Sequence, residues 1–136
     1  MYLLDTNACI ALINGTPPAV RSRFLKVLAS DQRVFVPSIA AFELWYGVGK
    51  SARKDANAQA IDTFFAGRVS LLAFEAEDAK VAGAIRALLE AAGNPIGAYD
   101  LLIAGQALRR ELTLVTANVR EFSRVKDLHW EDWAKA

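Results

Sequence analysis

Four short runs rich in apolar and β-branched residues punctuate the chain: Tyr2-Leu3-Leu4, Val34-Phe35-Val36, Val69-Ser70-Leu71-Leu72 and Leu112-Thr113-Leu114-Val115-Thr116. Between them lie longer segments whose apolar residues recur at helical spacing. Neighbouring parallel strands need a crossover of a dozen or more residues, and strand–helix alternation supplies one. The pattern therefore predicts an α/β fold with a parallel sheet, right-handed crossovers and helices over both faces. With 136 residues, one domain spanning residues 1–136 is expected.

The intervening segments carry their own punctuation. Thr16 before Pro17 and Pro18 reads as an N-cap with proline in the first turn, followed by Val20, Phe24, Val27 and Leu28 at helical spacing. Pro37 stops the second apolar run, and Ser38 is placed to cap the helix that carries Phe42, Glu43, Leu44 and Trp45. A further helix is expected through Phe64 and Phe65 to Gly67. Glu75, Glu77 and Asp78 open another, whose apolar face reads Val81, Ile85, Leu88, Leu89 and Ala92. Asp100 begins a late helix, Leu128 to Trp130 is a candidate edge strand, and the chain closes in a polar tail bearing Trp133.

The acids fall at one kind of place in this scheme. Asp5 ends the first strand, Glu43 lies in the opening turns of the helix after the second, Asp100 starts a late helix, and Asn118 and Glu121 follow another strand. Ligands of open parallel sheets gather at the carboxyl ends of strands, so these side chains are candidates for one site. Each has a bland alternative. Asp5 can cap the first helix, Asn118 with Glu121 fits a capping-box relative, Asp100 can offset a helix dipole, and Glu43 can be a solvated helix residue. If they do converge, several carboxylates raise one another's pKa unless a divalent cation replaces the missing positive charge. All-oxygen ligands select Mg²⁺ or Mn²⁺, and such a site suits phosphodiester hydrolysis.

Composition narrows the alternatives. Hydrophobic residues make up 54% of the chain, enough for a substantial core, and Cys9 is the single cysteine, which excludes an internal disulfide and a multi-cysteine metal site. Cys9 is expected as a small buried residue on the first helix. No secretory signal or bilayer-spanning run is legible, so a cytoplasmic location without membrane attachment is expected. With Asp5, Glu43, Asp100 and Glu121 set apart from the 15 acidic residues, the remaining 11 face 16 basic ones. A basic surface around an acidic pit suits a polyanion, although an ordinary solvated surface has the same balance. His129, the sole histidine, lies beside Trp130 and is expected to be a core or surface residue rather than a catalytic one. Asn7 stands where a haloacid-type phosphatase wants an acid, and there is no glycine-rich phosphate loop.

The segments Leu3-Leu4-Asp5-Thr6-Asn7, Ser38 to Gly47 with Glu43, Ala98-Tyr99-Asp100-Leu101-Leu102-Ile103-Ala104 and Val115-Thr116-Ala117-Asn118-Val119-Arg120-Glu121-Phe122 resemble the successive motifs of PIN-domain ribonucleases. The resemblance is closest to VapC-type toxins and runs on to Leu128-His129-Trp130-Glu131-Asp132-Trp133. It implies a three-layer α/β/α fold, Mg²⁺- or Mn²⁺-dependent RNA cleavage, a VapB-type antitoxin, a homodimer, and contact with operator DNA only through the antitoxin complex. It carries over Asp5, Glu43 and Asp100 as the metal-binding acids, with Asp5 and Asp100 as direct ligands and Glu121 as the fourth acid. Thr6, Thr116 and Asn118 are supporting residues, the two hydroxyls orienting carboxylates, although Thr6 is equally suited to ordinary capping.

The closing motifs are similar to those of the subgroup that cuts initiator tRNA in its anticodon loop. Lys50, Arg53 and Lys54 are expected either to hold an RNA backbone or to form a solvated loop. Trp45 and Tyr46, or the helix bearing Phe64 and Phe65, offer apolar surface for a partner, although core packing accounts for most aromatics. The competing reading is a noncatalytic RNA- or partner-binding module on the same fold.

Overall fold

In the computed structural model, which describes residues 1–135, the first strand is the middle of the sheet. Strands β1 (Tyr2–Leu4), β2 (Val34–Pro37), β3 (Ser70–Leu72), β4 (Thr113–Val115) and β5 (Trp130–Glu131) lie in the order β3-β2-β1-β4-β5. Every pairing is parallel, with Leu3 beside Phe35 on one flank and Leu114 on the other. The helices between them are α1 (Thr6–Asn14), α2 (Pro18–Ala29), α3 (Ser38–Gly49), α4 (Lys54–Ala66), α5 (Ala76–Ala91), α6 (Ala98–Arg109) and the single turn α7 (Val119–Phe122).

Alternation along the central strands divides the core. Leu4 and Val115 face Cys9, Leu12, Val27 and Leu44 beneath α1 to α4, whereas Leu3 and Leu114 face Ile85, Ile103, Ala104 and Phe122 beneath α5 to α7. This is the three-layer arrangement expected from the sequence, with Cys9 fully buried.

The second helical layer is held by a close crossing and an ion cluster. Gly105 on α6 is set so tightly against α5 that a Cβ there would lie 2.6 Å from the Ala82 Cβ and 2.8 Å from its backbone. Above this contact, fully buried Asp78 accepts from the Glu75 backbone N–H at 2.8 Å and from both Arg109 and Arg110. Burial works to raise the Asp78 pKa, but the hydrogen bonds from Arg109, Glu75 and Arg110 leave it below the ordinary carboxylate value. The Gln106 amide reaches the other way, donating to the Leu72 and Ala73 carbonyls at 3.0 and 3.1 Å. Helix α6 is thereby fixed to both α5 and the end of β3.

Several local expectations are corrected. Thr16 does not cap α2. The helix begins at Pro18, so Pro17 occupies the N-cap position without a side-chain bond and Thr16 lies one residue before it. Ser38 is the first helical residue of α3, and its hydroxyl donates to the Leu72 carbonyl at 3.2 Å. Leu88, expected on the buried face of α5, is 71% exposed, and Ala92 is also exposed; Ala82 takes the inner position. The last strand begins at Trp130 rather than Leu128. Within the polar tail Trp133 is itself buried against Tyr2, ring centroids 5.4 Å apart, and Phe24. Ala136 lies outside the described residues. No described helix is long and apolar enough to cross a membrane.

Candidate active site

Asp5 leaves β1 in an extended conformation and caps α1, its Oδ1 accepting the Ala8 N–H at 2.8 Å. The capping alternative is thus realised, and it leaves the carboxylate at the carboxyl rim of the central strand. Asp5 is only 4% exposed. Burial raises its pKa, hydrogen bonds from the Thr116 hydroxyl and the Ala8 N–H oppose that rise, and the negative charges of Glu43 and Asp132 add to it. Thr116 is itself oriented, because its Oγ1 accepts the Asn118 N–H at 2.9 Å.

Glu43 lies in the second turn of α3, where the Thr6 hydroxyl donates to its Oε1 at 2.6 Å. Asp100 occupies the first turn of α6. Its pKa is pushed up to about 6, first by burial and then by the charges of Glu121, Asp5 and Glu43, against a hydrogen bond from Asn118. These named charges place the four sequence-derived acids in one electrostatic neighbourhood.

Asn118 and Glu121 form the remaining wall. Asn118 sits at the N-cap position of α7 without capping it; its Nδ2 instead donates to Asp100 Oδ2 at 3.2 Å and Glu121 Oε2 at 2.8 Å. The second Glu121 oxygen, Oε1, accepts the Gly97 N–H at 2.7 Å. These two donors, Asn118 first, together with Arg124 and Arg120, hold the Glu121 pKa below its ordinary value despite partial burial. Glu121 consequently keeps its charge while neighbouring Asp100 is the readier proton carrier. The capping-box reading of this pair does not hold, since the amide is turned toward the acids.

The sequence reading missed Asp132, placed in a closing tail, although it follows β5 as Asp5 follows β1 and its charge acts on Asp5. The signal was its position directly after the last strand. His129 is exposed, as are Lys50, Arg53 and Lys54. Among the described residues no three His, Cys, Asp or Glu side chains surround one point closely enough to form a ready-made ion cage. The rim therefore gathers charge without three of its acids meeting at one point.

The PIN domain family matches residues 2–128. The chain belongs to the PIN domain family. It is 39% identical to Ribonuclease VapC2 of Rickettsia felis over 99% of both chains. It is 40% identical to the tRNA(fMet)-specific endonuclease VapC of Shigella flexneri over 98% of both. Among solved structures, this PIN domain superposes on VapBC2 from Rickettsia felis bound to a promoter DNA fragment with a TM-score of 0.89, at 39% identity over 97% of this chain and 98% of that one. For DNA-bound VapBC from Salmonella typhimurium the TM-score is 0.88, again at 39% identity, over 97% of each chain. The family expected from the four motifs is thus the family found, with the fold it implied.

Proposed function

We propose that this PIN domain is a Mg²⁺- or Mn²⁺-dependent endoribonuclease, the toxin of a VapBC-type pair, neutralised by a VapB-type antitoxin. The observation that carries this reading is the arrangement at the carboxyl rim of the sheet, where Asn118 bridges Asp100 and Glu121, Thr6 holds Glu43, and buried Asp5 ends the central strand. A divalent cation would offset the charge these acids bring together. Relatives of nearly full-length similarity named as ribonucleases support RNA as the substrate.

The donor set fits such an ion. Asp5 and Asp100 would hold it directly, Glu43 directly or through water, and Glu121 through water, all by hard oxygen atoms. A divalent cation there supplies Lewis acidity and a water of lowered pKa. The protein's own part is orientation. The Ala8 N–H fixes Asp5 Oδ1, Thr6 fixes Glu43, and Asn118 bridges Asp100 and Glu121. In-line attack by water then leaves a 5′-phosphate and a 3′-hydroxyl. Two relatives named tRNA(fMet)-specific endonucleases support the initiator tRNA as the target. Action in the cytoplasm, a homodimer, and operator DNA reached only through the antitoxin belong to the same proposal.

The competing reading is a noncatalytic RNA- or partner-binding module on the same fold. Incubating purified protein with initiator tRNA in Mg²⁺ or Mn²⁺ separates the two. Cleavage that EDTA abolishes and that Asp5→Asn and Asp100→Asn both lose supports the nuclease, whereas intact tRNA under every condition leaves only a binding module.

A further inference from the structure

The carbonyl of Leu72, at the end of edge strand β3, is a meeting point for the two helices that carry Glu43 and Asp100. Ser38, the first residue of α3, donates its hydroxyl to this oxygen at 3.2 Å, and Gln106 on α6 donates its Nε2 to the same oxygen at 3.0 Å. A carbonyl oxygen has two lone pairs, which two donors can fill. Opposite Leu72 on β2 stands Pro37, which has no N–H to offer. Ser38 precedes Glu43 by five residues and Gln106 follows Asp100 by six, which is about 8 and 9 Å along the respective helix axes. Gln106 is fully buried. Leucine, of similar size and with no amide to desolvate, would fill the same space. Nor would leucine orphan a carbonyl. Leu72 would keep Ser38, and Ala73, which Gln106 also reaches at 3.1 Å, would keep Arg110 Nη2 at 3.3 Å. What leucine cannot supply is a directed bond from α6 to the strand.

We propose that Gln106 is a positioning residue for the acid rim: by sharing the Leu72 carbonyl with Ser38 it sets the spacing between α6 and α3, and so between Asp100 and Glu43. This rests on the reading of the rim as a divalent-ion site for RNA cleavage. The other ties of α6 act in a different direction. Gly105 and Arg109 hold it against its layer neighbour α5, whereas Gln106 ties it to the edge strand at the atom that also receives α3. Because α3 and α6 pack on opposite faces of the sheet, the link joins the two helical layers around the sheet's edge. A misplacement of about 1 Å at a reacting centre costs up to about a hundredfold in rate, so a bond remote from the acids is felt at them.

The test uses the full chain with Gln106→Leu, Ser38→Ala, the two combined, and Gln106→His, whose ring Nε2 reaches about as far as the amide nitrogen and can donate. Mn²⁺ alone is titrated by electron paramagnetic resonance, and cleavage of initiator tRNA is measured in Mg²⁺. Gln106→Leu should leave the melting temperature nearly unchanged while weakening Mn²⁺ binding about tenfold. It should lower kcat by about tenfold or more with KM little altered. Gln106→His should restore most of both. Ser38→Ala should lose a similar amount, and the double variant no more than either alone, because each substitution breaks the same link. Full Mn²⁺ affinity in Gln106→Leu, or losses that add in the double variant, would overturn the proposal. So would a loss that tracks the melting temperature and that histidine does not recover. Crystals of the metal-free protein and of Gln106→Leu give a reading independent of catalysis: Asp100 should shift relative to Glu43, and an unchanged separation removes the positioning role. Should the unsubstituted protein neither bind Mn²⁺ nor cut RNA, the nuclease reading falls, and that separation alone decides the role of Gln106.

Discussion

The Thr6 hydroxyl donates to Glu43 Oε1 across 2.6 Å, joining the first residue of α1 to the second turn of α3 over 37 positions of sequence. Hydrogen bonds to a charged group contribute about 1.5–3 kcal/mol, and here the bond also fixes which way the carboxylate faces. Thr6→Val should lower RNA cleavage by about tenfold or more with little change in melting temperature, and Thr6→Ser should recover most of it. Steady-state cleavage at saturating Mg²⁺ checks this; unchanged turnover in Thr6→Val would remove Thr6 from the site.

Asp100 makes stability depend on pH in a defined sense. Its folded pKa of about 6 lies above the ordinary 3.8, so the native state holds the proton more tightly than the unfolded chain does. The resulting stabilisation is present below about 4 and is lost as pH rises toward 6. Asp100→Asn cannot ionise and escapes that loss. In EDTA it should be more stable than the wild type at pH 7.5 by roughly 1–2 kcal/mol after allowance for solvent screening, with the gain vanishing near pH 4. Thermal unfolding across that range measures the difference, and a variant no more stable at pH 7.5 would show that the rim is not repulsive.

Adding Mg²⁺ or Mn²⁺ should stabilise the wild type, because an ion that binds only the folded state shifts unfolding by mass action. At a hundredfold excess over Kd the shift is about 2.7 kcal/mol. Asp5→Asn and Asp100→Asn should abolish most of the response, and EDTA should reverse it. Calorimetric titration of each variant provides the check, and equal metal binding by all three proteins would move the ion elsewhere.

Gly105 is a packing prediction. An added methyl would meet Ala82 at 2.6 Å, with backbone as well as side chain in the way, so α5 must lift from α6. Gly105→Ala should destabilise by about 1–3 kcal/mol, and it should reduce cleavage too, since α6 carries Asp100. Ala82→Gly removes the nearest methyl and should restore part of the loss in urea unfolding. Full stability in Gly105→Ala would contradict the crossing.

What was legible in the chain was what depends on neighbours a few residues away. Alternating apolar runs and helical repeats located the central strands and the helices because periods of 2 and 3.6 are local properties. They put Asp5 at a strand end and Asp100 at a helix start. Side-chain partners across long separations were not legible. Whether Asn118 capped its own turn or faced Asp100, and whether Leu88 or Ala82 lay inside α5, depended on elements distant in sequence. That Trp133, in a polar closing segment, packs against Tyr2 and Phe24 depended on elements more than a hundred residues away.

By itself the sequence determined the layer order and the kind of residue at each strand end, through periodicity and backbone chemistry that act within a single element. The tertiary structure alone decided that Asp132 reaches Asp5 by its field, that Glu121 is held charged while Asp100 is pushed toward protonation, and that Gly105 admits α5. Burial and Coulomb repulsion depend on distances through space, and those distances exist only once the sheet has brought its strand ends to one rim.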